Sequence, residues 1–115
     1  MIKKKEELTA ELREMRGGPG QVLVTNLASK EEMLENGRLY AGMVIEPGCG
    51  IGYHDHHDET EIFYVIEGSV IWNDGEKDTE VSEGGVMICE DGKGHSILNK
   101  SDKPAKLTAL ILLKK

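Results

Sequence analysis

A chain of 115 residues is one domain's length, because a second core would leave both with too little apolar surface to bury. Its 38% hydrophobic and 30% charged residues are a globular composition, unlike that of a disordered tail or a membrane protein. A formal charge of −7 excludes the basic surface that a phosphate backbone demands, so no nucleic-acid partner is expected. The longest nearly unbroken apolar stretch, Leu107 to Leu113, is far short of the ~20 residues of a spanning helix, and Met1–Lys5 is charged with no apolar stretch behind it. No membrane partner is expected. Cys49 and Cys89 stand at no metal-ligand spacing and no secretory signal is visible, which predicts free thiols and a cytoplasmic location.

Ile2, Leu8, Leu12 and Met15 lie among Lys and Glu at a loosely helical spacing, with Gly17-Gly18 as a stop and Pro19-Gly20 as a turn. An extended arm lying across another surface accommodates the same residues, so 1–20 is read as an N-terminal arm, helical or extended. Gln21–Leu27 has strand composition. Ser29-Lys30-Glu31-Glu32 matches a capping box and Gly37 is placed as a terminator, which predicts one short N-terminal helix over 30–36. After Gly37, strand-like segments recur between turn residues: 39–46, 51–54, 62–67, 70–73, 77–81, 86–89, 95–98 and 106–113. This spacing predicts an all-β sandwich or barrel over residues 21–113. Asn73-Asp74-Gly75-Glu76 marks a hairpin pairing 70–73 with 77–81. Ile62–Ile66 is apolar at both parities, as is most of 107–113, so these strands are expected to be covered on both faces. A second sheet supplies one cover; for the outward Ile62, Tyr64 and Ile66 the expected cover is a homodimer partner.

Three of the four histidines fall in one window, His54-Asp55-His56-His57, and the fourth is His95. On a strand, residues i and i+2 share a face, so His54 and His56 aim two imidazoles at one point while Asp55 and His57 point away. Glu61 opens the next strand after the acidic turn Asp58-Glu59-Thr60, and an antiparallel return brings its carboxylate beside them. His95 follows Asp91-Gly92-Lys93-Gly94, a turn that can swing its imidazole to the same point. Three imidazoles and one carboxylate suit one divalent transition ion (Fe, Mn, Ni, Co or Zn) with coordination positions left open. A His-Asp-His-His run without the fourth histidine reads equally as a solvated acidic loop; the spacing decides for the ion. Glu59 and His57 are the nearest competitors for ligation.

These residues resemble the two motifs of a single-domain cupin. Gly48, His54, His56, Glu61 and Gly68 stand at the intervals of the first motif, and Gly84, Gly92, His95 and Asn99 at those of the second. The departure is Glu90, which stands where proline is usual and removes a φ restraint. The resemblance implies a small double-stranded β-helix, or jelly-roll barrel, holding one divalent metal ion through His54, His56, Glu61 and His95. It further implies activity on a small oxygen-rich molecule: sugar or sugar-acid isomerisation and related proton transfers, or dioxygenase chemistry.

An isomerase needs a general base beside the metal, for which His57, Glu59 and Glu90 are the spare candidates. No Lys or Arg is evident inside the barrel, since Lys93 and Lys100 are loop cations and Arg38 borders the capped turn; a phosphorylated sugar is therefore disfavoured. The alternative function is a non-catalytic barrel that binds a metal or small ligand. Phe63 is expected inward and Tyr64 outward; Tyr40, Met43, Trp72 and Met87 can line the cavity but read first as core, Cys89 as a small buried hydrophobe, and Gly48, Gly50 and Gly52 as bend residues.

Overall fold

The computed structural model describes residues 1–115. Ten strands form: β1 (Ala10–Arg13), β2 (Val22–Asn26), β3 (Gly37–Ile45), β4 (Gly50–Asp55), β5 (Glu59–Glu67), β6 (Ser69–Asn73), β7 (Asp78–Ser82), β8 (Val86–Cys89), β9 (Gly94–Leu98) and β10 (Ala105–Leu113). They make two antiparallel sheets, one in the order β1-β2-β3-β10-β5-β8 and the other β4-β9-β6-β7. The pair is the expected jelly roll. No helix is long and apolar enough to cross a membrane.

Period-two alternation drives the packing. Val22, Val24, Ala41, Met43, Phe63, Val65, Leu107 and Ala109 point inward from the six-stranded sheet and meet Ile51, Val70 and Ile97 of the other. Phe63 and Val65 have no exposed surface, whereas Tyr64 is 46% exposed and Ile66 47%, so the outward parity of β5 has no cover within the chain. Register aligns Tyr40, Leu110, Ile62 and Ile88 across β3, β10, β5 and β8, continuing that apolar row over the outer face. The hairpin forms as expected: Asn73 pairs with Asp78, and Asp74 Oδ1 accepts from the Glu76 and Lys77 amides.

Two local expectations are corrected. The only helical piece is a 3-10 turn at Lys5–Glu7, after which the arm is extended and β1 adds to the edge of β2, Ala10 opposite Thr25 and Arg13 opposite Val22. Residues 30–36 form turns rather than a helix. The capping box itself is present, with Glu32 N donating to Ser29 Oγ at 3.1 Å and Ser29 N to a Glu32 carboxylate oxygen at 2.8 Å. Propagation fails because Leu34 is exposed and Leu34 and Glu35 both adopt left-handed φ (55° and 61°), so no apolar stripe offsets the cost of nucleation.

Past β1 the arm crosses to the smaller sheet. Met15 makes an isolated parallel bridge with Ile51, Gly52 N donates to Met15 O at 3.0 Å, and Gly50 N donates to Pro19 O at 3.0 Å. A Cβ on Gly52 would lie 2.0 Å from Arg16 O, and one on Gly18 would lie 2.5 Å from Gly50 O. Gly50 and Gly52 thus admit close backbone approach, beyond the bend role expected of them. Residues 14–19 are a strap closing the seam between the sheets.

Candidate metal centre

β4 delivers His54 half-buried and, one residue past its end, His56 fully buried, while Asp55 and His57 are exposed, as strand parity requires. β9 brings His95 directly opposite His54 in the ladder. β5 carries Glu61 inward, paired with Ile111 on one side and Cys89 on the other. The backbone of His56 is bonded to the turn before β9 at both ends, with His56 N donating to Lys93 O and Gly92 N to His56 O. That turn closes with Lys93 N to Glu90 O, so glutamate in place of proline leaves it intact. One ligand atom from each of His54, His56, Glu61 and His95 lies within 4.8 Å of all the others.

Hydrogen-bond partners assign the protons. The Gly52 carbonyl, 2.8 Å from His54 Nδ1, can only accept, so His54 carries its proton there. His56 Nδ1 is 2.5 Å from Glu59 Oε2. Glu59 is in turn held by both arms of the Arg38 guanidinium at 2.7 Å, which drops its pKa from 4.5 to about 2 and keeps it an ionised acceptor. The His54 Nε2 therefore presents its lone pair to the cluster, and so does the His56 Nε2 when that ring carries a single proton, on the side of Glu59. Burial, with His95 and His56 nearby, pushes the His54 pKa down and favours the neutral, ligating form.

The interior is consequently crowded with acceptors. His56 Nε2 is 2.9 Å from Glu61 Oε1 and 3.3 Å from His95 Nε2, and His95 Nε2 is 3.2 Å from the same carboxylate oxygen. His95 can supply one proton; its buried Nδ1 then has no partner. A positive charge between the ring nitrogens and the carboxylate, a proton or a metal ion, satisfies both. Three imidazoles and a carboxylate converging within 4.8 Å fit a divalent transition ion. Trp72 stacks on His95 with ring centroids 4.6 Å apart, and Phe63 lies 5.4 Å away, fixing the ring.

Above the cluster is a hollow of about 260 Å³, room for a molecule of few heavy atoms. His54, His56 and Glu61 form its base, and Leu39, Ile51 and Ile111 line it. Its rim carries Arg13, Arg16 and Arg38, so cations do reach this space, contrary to the sequence expectation. Arg13 is paired with Glu11 and Arg38 with Glu59; no ion pair engages Arg16. The strap also contributes Glu14. Neither Arg16 nor Glu14 carries a local signal in the sequence, because both reach the hollow only through backbone contacts between residues 15–19 and 50–52.

Of the spare base candidates, the structure brings only Glu59 to the cluster, where it is occupied by Arg38 and His56. His57 is exposed, and exposed Glu90 lines a different depression with Trp72 and Lys93. Cys89 is buried and its thiol is pushed up to about 11 by burial and by Glu61, which leaves it unreactive as expected. Asn99 clamps the barrel, donating to Ile45 O and Lys103 O at 2.8 Å each.

Comparison with known proteins agrees with this architecture. The chain is 37% identical to an oxalate-binding protein of Thermotoga maritima, over 98% of this chain and 94% of the relative. It superposes with TM-score 0.93 and 37% identity on a crystal structure from Thermotoga maritima described as a predicted oxalate decarboxylase, covering 98% of this chain and 99% of the other. A polyketide cyclase of Streptomyces resistomycificus shares the fold alone, with TM-score 0.78 and 16% identity over 100% of this chain and 81% of that one. Residues 42–111 match the Cupin domain model, and with the two-sheet barrel and its inward histidines this shows that the chain belongs to the cupin family.

Proposed function

We propose that this protein holds one divalent transition ion through His54, His56, Glu61 and His95 and binds a small carboxylate, of which oxalate is the model, against it. The observation that carries the reading is the convergence of His54, His56, Glu61 and His95, one ligand atom of each within 4.8 Å of the others, in a buried pocket where His95 Nδ1 has no partner. A divalent ion so held supplies Lewis-acid polarisation and open coordination positions. Three neutral imidazoles and one carboxylate leave the loaded centre with a net positive charge, the Arg38–Glu59 and Arg13–Glu11 pairs are neutral, and Glu14 offsets Arg16 at the rim, so the centre's own charge sets the sign. That balance selects an anion. The relative named for oxalate binding supports the choice, and the size of the hollow suits six heavy atoms.

Calorimetry tests this directly. Protein stripped with chelator is expected to take up one manganese(II) per chain, and the loaded protein to bind oxalate. Arg16→Gln is expected to weaken oxalate about tenfold, the worth of one charge-assisted hydrogen bond, with manganese affinity unchanged. Failure of the stripped wild type to take up manganese would overturn the reading.

Turnover is a second reading, favoured by Glu14, the one carboxylate of the hollow besides Glu61. It calls for conversion of oxalate and one proton to formate and carbon dioxide by the manganese-loaded protein, Glu14 delivering the proton to the carbon left by the broken C–C bond, with turnover lost in Glu14→Gln while oxalate binding remains. Isomerase and dioxygenase chemistries draw no comparable support from the side chains around the hollow.

The outer face of the six-stranded sheet is read as a homodimer surface. Tyr64, Ile66, Val86 and Ile88 form a continuous apolar patch on adjacent strands, which a two-fold partner would bury with its own copy. Sedimentation is expected to give twice the chain mass, and Ile88→Lys to give the monomer; a wild-type monomer would refute the pairing.

A further inference from the structure

We infer that Glu59, anchored by Arg38, is a positioning residue that fixes the tautomer and ring orientation of His56, so that metal affinity depends on a guanidinium outside the ligand set. The inference rests on the metal reading above but concerns the free protein as well.

Geometry assigns the role. His56 is bracketed by two carboxylates, Glu59 Oε2 at 2.5 Å from Nδ1 and Glu61 Oε1 at 2.9 Å from Nε2. The two nitrogens point out of opposite sides of the ring, so Glu59 lies away from the point where the four donors meet. Both its oxygens are taken, Oε1 by Arg38 Nε at 2.7 Å and Oε2 by Arg38 Nη2 at 2.7 Å together with His56 Nδ1. With its side chain only 12% exposed, this carboxylate is committed to those partners and is free neither to ligate nor to act as a base.

The backbone builds the arrangement deliberately. Asp58 takes a left-handed φ of 61° and donates its amide to Asp91 Oδ1, which turns the chain so that Glu59 starts β5 on the same face as Glu61. Arg38 lies on β3, and β10 separates β3 from β5, with Leu112 paired to both Gly37 and Thr60. The bidentate pair therefore spans three strands and ties the imidazole to the sheet rather than to the loop at 57–58. A carboxylate accepting from the far nitrogen of a ligand histidine raises its basicity and locks its orientation, and losing such a partner costs about 10–100-fold in metal affinity.

The test uses ¹⁵N-histidine NMR and zinc(II), which is diamagnetic. In stripped wild type, His56 is expected to carry its proton on Nδ1, with that proton shifted downfield, and to keep it on zinc loading. Glu59→Gln is expected to weaken zinc about 10–100-fold in chelator competition, with the stripped melting temperature close to wild type. Arg38→Met is expected to act in the same direction and to add nothing in the Glu59→Gln background, since it works through Glu59. Finding the His56 proton on Nε2 in stripped wild type, losing it from Nδ1 on zinc loading, or seeing wild-type zinc affinity in Glu59→Gln would each overturn the inference. The wild-type spectrum decides even if the variants fail to fold. Absence of zinc uptake by wild type would instead refute the metal reading, while the tautomer in the stripped protein still tests the positioning.

Discussion

Glu61→Gln is expected to move stability in opposite directions with and without metal. With His56 carrying one proton, on its Glu59 side, the stripped carboxylate faces the His56 lone pair and His95 Nε2; an amide of the same shape donates to His56 Nε2 and relieves the conflict. A gain of about 1 kcal/mol, or roughly 4 °C in melting temperature, is expected for the stripped variant. The same change removes one of four donors and the only charged one. Taking a structural zinc site's roughly 10–16 kcal/mol as a guide, one donor's share is on the order of 3 kcal/mol, so affinity should fall at least about 100-fold. At metal concentrations near 100 times the wild-type Kd, wild type gains about 2.7 kcal/mol from binding, which the variant forfeits. Differential scanning fluorimetry in chelator and in manganese reads both signs. A variant that melts below wild type in chelator would show that Glu61 is satisfied without a cation.

The second large effect is expected from Gly52→Ala. The added methyl would sit 2.0 Å from Arg16 O and 2.9 Å from Gly18 N, both backbone atoms with no rotamer to yield. β4 keeps its pairing with β9, because the ladder skips from Ile51 to His54 at an irregularity that already contains Gly52. The barrel is therefore expected to fold with a loss of about 1–3 kcal/mol, and the strap to lift. Amide exchange at residues 50 and 52, whose hydrogens bond Pro19 O and Met15 O, should accelerate. Oxalate affinity should fall with that of Arg16→Gln while metal affinity holds. Unchanged exchange at these two amides would mean that the seam tolerates the methyl and that the strap is held by other contacts.

The barrel strands from Gly37 onward were legible because each alternates or runs apolar between turn residues, and the donor cluster because strand parity and turn placement decide where imidazoles point. Phe63 inward and Tyr64 outward follow from a period of two, whereas His54 opposite His95 is a cross-strand register that no local pattern encodes. The arm was not legible, since its conformation depends on an edge strand to pair with and on Gly18, Gly50 and Gly52 to approach, none of which is local. Residues 30–36 misled for the converse reason: the capping box is a local signal and it forms, but a helix also needs a buried face, and Leu34 has none to join. Glu59 was legible as an acid near the histidines, though not as a partner to the far side of one ring, because β5 begins three residues earlier than its apolar pattern suggests.

The strap and the donors come from separate stretches of chain, residues 14–19 for the one and the barrel strands with their turns for the other. On the function proposed above, ligand choice and ion holding are modular: changes confined to the first twenty residues are expected to retune what the hollow admits without touching what it is built around.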